Sequence, residues 1–270
     1  IQHNSELLRQ FDYDLNKLLE AHGHTTLNYG AEFRPVQQLE KVLGPHPNFA
    51  FFRTVLRDGM NYFFKSELTE EQRKAELHAN ADKARQLLDK DVRHGFSLPV
   101  LPELVYKIKN ALVQPCGIVT QYALTASGAR QLKERLTQDL TYSLTEEGIS
   151  VNDRIDMSQY TEMIYGWCLL RIIHFVVALR LRHPRKRIFL AKYDFSDAYR
   201  RVAHSASAAI QSIIIFAGIA FLALRLTFGG APNPPTWCCF SEMVADLSNE
   251  IPLCHHWDPA TTYNPEQPDT

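Results

Sequence analysis

Two apolar runs, "IQSIIIF" and "IAFLALRL", stand on either side of Ala217-Gly218, and they constrain the fold more than any other stretch of this chain. From Ile210 to Leu224 the segment is shorter than the roughly 20 apolar residues of a membrane-spanning helix. Gly218 also divides it into two strand-like halves. Short apolar runs bounded by turn residues read as strands, and two joined by a two-residue turn read as an antiparallel hairpin. The hairpin leads directly into "TFGGAPNPPTW", where the adjacent Gly229 and Gly230 allow close backbone approach to a ligand. A helix over about Thr236 to Glu250 follows.

The other segments fit a mixed architecture. Leu7, Leu8, Phe11, Leu15, Leu18 and Leu19 keep the 3.6-residue spacing of one buried helical face. "GPHPN" breaks the chain before the aromatic run "FAFF", and Thr69 with Gln72 opens a charged helix to about Asp91 as a capping box. "GFSLPVLPE" reads as a linker into a second section. There "GIVTQYALT" and "RQLKERLTQDL" flank "ASG" as a second hairpin. Asp156 to His183 reads as a long helix closed by Pro184, and "RIFLAKYD" as a buried strand behind it. The expected fold is α+β with an antiparallel sheet: a helical section over residues 1–97, then a sheet-bearing section over 98–270.

Composition narrows the class. Hydrophobic residues make up 45% and charged residues 22%, as in soluble globular proteins. Met163 to Leu179, the other apolar stretch, is interrupted by Arg171 and His174, so no membrane span is expected. Five cysteines without a C-x-x-C pair suggest reduced thiols, hence an intracellular protein of cytoplasm or nucleus that is not secreted. Net charge is −1, yet Arg171 to Arg201 carries nine Lys/Arg against Asp194 and Asp197, while residues 242–270 carry six acidic residues and no Lys or Arg. That asymmetry suits a basic face for a polyanion or a solvated helix end.

The chemistry-bearing residues gather behind "RIFLAKYD". A carboxylate at the end of a buried strand is costly unless paired, so Asp194 and Asp197 suit either a metal ion or an N-cap. In the second hairpin the two-residue period places Lys133, Arg135, Thr137 and Asp139 on one face. Two cations there could clamp an anion such as a triphosphate, or simply protect an exposed edge strand. "CHHWD" at Cys254 to Asp258 lacks a partner cluster with zinc spacing, and His204 reads as structural.

These residues carry a family resemblance. "KYDFSDAYRRV" resembles motif A of reverse transcriptases, with Asp194 on the metal-binding aspartate, Ala198 on the small residue and Tyr199 on the aromatic. "LTFGGAPNPPTW" is similar to the retroelement motif B, L-P-F-G-x-x-x-A-P-x-x-F: Leu226, Phe228, Gly229, Pro234 and Trp237 fall in register, while Thr227 replaces a proline and Asn233 an alanine. Arg135 and Asp139 match the fingers segment R-x-x-x-D-x-R-x-x-N, where Thr141 stands for the second arginine and Asn152 comes late. The match runs over roughly Leu98 to Glu250.

The resemblance implies an RNA-directed DNA polymerase of retroelement (retrotransposon) type, with fingers and part of a palm. Its partners would be an RNA or DNA template with primer and deoxynucleoside triphosphates. Two Mg²⁺ ions would serve the complete enzyme, with Asp194 and the carbonyl of Phe195 as ligands. Lys133 and Arg135 would meet the phosphates, and Ala198, Tyr199, Phe228 and Gly229 would line the nucleotide. Asp197 would touch the triphosphate region through its backbone or cap the next turn. Arg200 and Arg201 could reach a nucleic-acid backbone or pack on acidic neighbours. The family's motif C, Y-x-D-D, has no counterpart after motif B here. The expectation is a sheet truncated before the catalytic hairpin, and a 270-residue stretch that does not polymerise on its own. The competing reading is a non-catalytic nucleic-acid-binding or scaffold remnant.

Overall fold

The computed structural model describes residues 1–26, 33–65, 81–125, 128–143, 149–163, 168–190 and 195–250. It is α+β, with five helices first: α1 (Gln2–Gln10), α2 (Leu15–Thr26), α3 (Val36–Leu43), α4 (Phe49–Asp58) and α5 (Ala81–Arg93). Strands β1 (Ser97–Val100), β2 (Cys116–Leu124) and β3 (Arg130–Gln138) come next, then α6 (Val151–Arg154), α7 (Cys168–Arg182) and α8 (Ala206–Ala209). Strands β4 (Ile213–Phe216) and β5 (Ile219–Ala223) precede the last helix, α9 (Asn233–Glu250).

The apolar runs around Ala217-Gly218 form the expected hairpin. Ala217 and Gly218 both adopt left-handed backbone (φ 49° and 73°), as the tight hairpin turn requires. β5 lies between β4 and β1, antiparallel to both, with Leu222 opposite Ile213 on one side and Leu98 on the other. Both strands are apolar at every position because both faces are covered. Ile213, Ala220 and Leu222 meet Leu8, Leu15, Leu18 and Leu19 of α1 and α2. Ile214 and Phe221 meet Ala84 and Leu88 of α5 and Leu136 of β3. A further core, rich in aromatics, joins Phe49 and Phe52 of α4 to Tyr62, Leu226 and Phe240.

Four expectations are corrected. The first apolar face is borne by two helices, because Asp12 and Tyr13 are left-handed and break the chain between them. "GFSLPVLPE" is no linker: Ser97–Val100 is buried β1, and its proline is tolerated on an edge strand. The long helix begins only at Cys168 within the described residues, since Met157–Gln159 is a separate 3-10 turn. Arg187–Leu190 is not a buried strand. Phe189 and Leu190 are 83% and 75% exposed, and no described strand offers them backbone partners. α7 shares this exposure, with Leu169, Phe175 and Leu181 facing solvent. The capping box at Thr69 lies outside the described residues.

Candidate functional site

The expected β2–β3 hairpin forms a two-stranded ribbon, with Arg135 opposite Val119 and Lys133 opposite Gln121. Its base is anchored by Leu136 and Gln138, both buried, while residues 130–133 are exposed. Lys133 and Arg135 share one face, as the two-residue period requires. That face looks toward the glycine-rich loop. The guanidinium of Arg135 lies 5.3 Å from the centre of the Phe228 ring and donates to Gln121 Oε1. Lys133 is exposed, nearer the hairpin tip.

The glycine loop is pressed against the ribbon. The N–H of Gln138 donates to the Phe228 carbonyl at 2.7 Å, and Thr137 bridges Phe228 in parallel. Gly229 has φ +126°, and a Cβ there would sit 1.8 Å from the Gln138 carbonyl oxygen, so only glycine fits. On its other side the loop is clamped by Asn152. Its Nδ2 donates to the Gly229 carbonyl at 3.0 Å, and its Oδ1 accepts from the Ala231 N–H at 2.9 Å. The capping box of Ser150 and Asp153 fixes the short turn that carries Asn152.

Asp194 lies outside the described residues, as do Ala191 to Tyr193. Phe195 is 45% exposed and makes an edge contact with Trp237 of α9, ring centres 5.2 Å apart. Asp197 is left-handed (φ 50°) and opens a 3-10 turn over Ala198–Arg201. Its side chain makes no cap bond, contrary to the capping expectation, and pairs instead with Lys90 of α5 at 3.2 Å. Ala198 is half-buried at the start of the turn. Tyr199 packs on Phe228 at 4.9 Å between ring centres, tilted by 31°.

Arg200 turns inward. It pairs with Asp91 of α5 at 2.6 Å and donates to the Leu226 carbonyl at 3.0 Å. Burial raises the Asp91 pKa and outweighs the opposing pull of Arg200. Arg201 donates to the Ser196 carbonyl at 3.1 Å. His204 is fully buried, with Nδ1 bonded to the Ala223 carbonyl at 2.9 Å, and burial pushes its pKa down to about 4. It is structural, as its sequence context suggested.

The structure thus brings Arg135, Tyr199, Phe228 and Gly229 together from three separate segments, while Phe195 and Asp197, in the same segment as Tyr199, make their contacts with Trp237 and Lys90. Lys90 and Asp91 of α5 carry no local signal of this role in the sequence, since they sit 107 and 109 positions before their partners. Among the described residues no three His, Cys, Asp or Glu cluster to hold a metal ion, and Asp194, the expected magnesium ligand, is not one of them. "CHHWD" lies outside the described residues. No described helix is long and apolar enough to cross a membrane.

No family model matches the chain, and no curated protein matches it. Among solved structures, the foamy viral protease-reverse transcriptase in complex with double-stranded DNA is similar at TM-score 0.41 and 13% identity, over 81% of this chain and 36% of that one. The native prototype foamy virus protease-reverse transcriptase is similar at TM-score 0.42 and 15% identity, over 85% of this chain and 30% of that one. This chain therefore spans about a third of the length of those proteins.

Proposed function

We propose that this chain forms the fingers and part of the palm of a retroelement-type reverse transcriptase, which extends a primer on an RNA or DNA template. The observation that carries this reading is the meeting of the fingers-like, motif A-like and motif B-like segments around the Phe228 ring. In this reading Arg135 and Lys133 bind the triphosphate of the incoming deoxynucleotide, where a guanidinium can bond two phosphate oxygens at once. Phe228 and Gly229 support the nascent base pair, and the backbone at Phe195 to Ala198 faces the phosphates. Tyr199 stands where a ribose 2′-hydroxyl would have to fit, which favours deoxynucleotides. In the complete protein Asp194 and the Phe195 carbonyl would be the groups that hold Mg²⁺, and the ion would supply neutralisation of phosphate charge.

The second reading, a non-catalytic nucleic-acid-binding remnant, draws on one observation: the Asp197 carboxylate is engaged by Lys90 of α5.

The test is binding of a deoxynucleoside triphosphate to the chain loaded with template–primer, with and without Mg²⁺. Binding should require Mg²⁺ and be lost in Asp194→Asn, whose amide keeps the shape but not the charge. Arg135→Ala should weaken nucleotide binding about 10- to 100-fold, the worth of a charge-assisted hydrogen bond, and leave template–primer affinity nearly unchanged. Template–primer binding without any Mg²⁺-dependent nucleotide binding would overturn the polymerase reading in favour of the second.

A further inference from the structure

The segments that build the site also line a small cavity, whose apolar side is formed by Leu88, Leu136, Ile214, Phe221 and Ala223. Asp91 of α5, Ser97 of β1, Gln138 of β3, Arg200 and Thr227 supply its polar walls. Its volume is about 10 Å³, close to the least that can hold one water molecule. Gln138 and Thr227 are 5% and 3% exposed, and Gln138 Oε1 and Thr227 Oγ1 have no hydrogen-bond partner among the described residues.

The Gln138 amide and the Thr227 backbone are both held in place. Gln138 Nε2 donates to the Ser212 carbonyl at 3.2 Å, and its backbone N–H is taken by Phe228. The Thr227 carbonyl accepts from Asn233 Nδ2 at 2.7 Å. The two residues that depart from the motif B pattern therefore bond to each other, and one of them, Thr227, lines the cavity and carries an unpartnered buried hydroxyl. A proline at position 227 would have no hydroxyl to offer.

We propose that this cavity binds one ordered water molecule, which donates to Gln138 Oε1 and bonds the Thr227 hydroxyl, with the Asp91–Arg200 pair closing the wall. Buried waters make about three such bonds. The occupant is neutral because the walls carry both signs: the Arg200 guanidinium opposes a cation and the Asp91 carboxylate opposes an anion. The water joins the ribbon base at Gln138 to the glycine loop at Thr227. This inference does not depend on the polymerase reading.

The test is a high-resolution crystal structure of the chain together with magnetic relaxation dispersion of water, which counts long-lived buried waters. The wild type should show density for one water between Gln138 and Thr227. The double variant Gln138→Leu/Thr227→Val should lose one long-lived water, whereas Thr227→Ser, which keeps the hydroxyl, should retain it. In urea, each single substitution should lower the midpoint by orphaning the other group. The double should lower it by less than the two singles together, because both polar ends leave at once. A dry cavity in the wild-type density, with both side chains in place, overturns the proposal whether or not the variants fold. So does an unchanged count of long-lived waters in a folded double variant.

Discussion

Gly229→Ala places a methyl group against backbone, where nothing can rotate away. The added Cβ would lie 1.8 Å from the Gln138 carbonyl oxygen, at a backbone angle of +126° that L-residues rarely adopt. The conformational strain is worth about 1–3 kcal/mol. Overpacking against the end of β3 adds about 1–3 kcal/mol. If the loop lifts to relieve the clash, the Gln138–Phe228 hydrogen bond is lost, at about 1 kcal/mol. A total of about 4 kcal/mol is a large part of the 5–15 kcal/mol that holds a typical domain together. Gly128→Ala is the control: it too has positive φ (+79°), but a Cβ there meets nothing within 4 Å, so it should cost only about 1–2 kcal/mol. Urea unfolding followed by circular dichroism would measure both. If Gly229→Ala falls within about 1 kcal/mol of the Gly128→Ala control, the loop does not bear on the ribbon and the account of the site's assembly is wrong.

Two further outcomes follow from buried charge. His204 has its pKa pushed from 6.5 down to about 4 by burial. The unfolded chain therefore takes up a proton as pH falls through 6.5 and the folded chain only near 4, so stability is full above that window and about 3 kcal/mol is lost across it. His204→Gln should flatten the dependence of the urea midpoint on pH in that window, and an equally steep slope in the variant would assign the acid sensitivity elsewhere. Asp91→Ala leaves Arg200 buried without its carboxylate and should cost about 3–5 kcal/mol. Lys90→Ala removes an exposed pair and should cost under about 1 kcal/mol; equal losses in denaturant melts would contradict the burial difference between the two pairs.

Much of the fold was legible where the pattern was local. The β4–β5 hairpin could be read because its strands and its turn adjoin in sequence, and the β2–β3 ribbon for the same reason. The errors share a cause as well. Ser97–Val100 reads as a linker because "SLPV" carries a proline and too few residues to show a period, and its strand character comes from pairing with β5. Arg187–Leu190 looked like a strand by composition, but apolar residues make a strand only where backbone partners exist. The helix break at Asp12-Tyr13 was hidden because the apolar spacing carries on across it. In the candidate site, the shared face of Lys133 and Arg135 was legible from alternation alone. The partners of Asp197 and Arg200 were not, because they are set by how α5 crosses the sheet.

That crossing gives the site two unequal walls. The wall around Phe228 and Gly229 is held by backbone contacts to β3, by both ends of the Asn152 amide, and from beneath by Arg200 on the Leu226 carbonyl. Every one of these contacts is anchored in a segment that itself packs into a core. The facing wall is the ribbon, whose base is buried at Leu136 and Gln138 but whose outer half, including Tyr122 at 74% exposure, touches little else. An isolated two-stranded ribbon is marginally stable at best in water, so its outer half bends more readily than the loop. Arg135 sits at the boundary between the fixed and the compliant parts, in contact with Phe228, and Lys133 lies just beyond it. An anion drawn to these two cations would therefore pull the ribbon toward the loop rather than distort the loop. The aromatic pair of Tyr199 and Phe228 would keep its geometry while the cations close on the ligand.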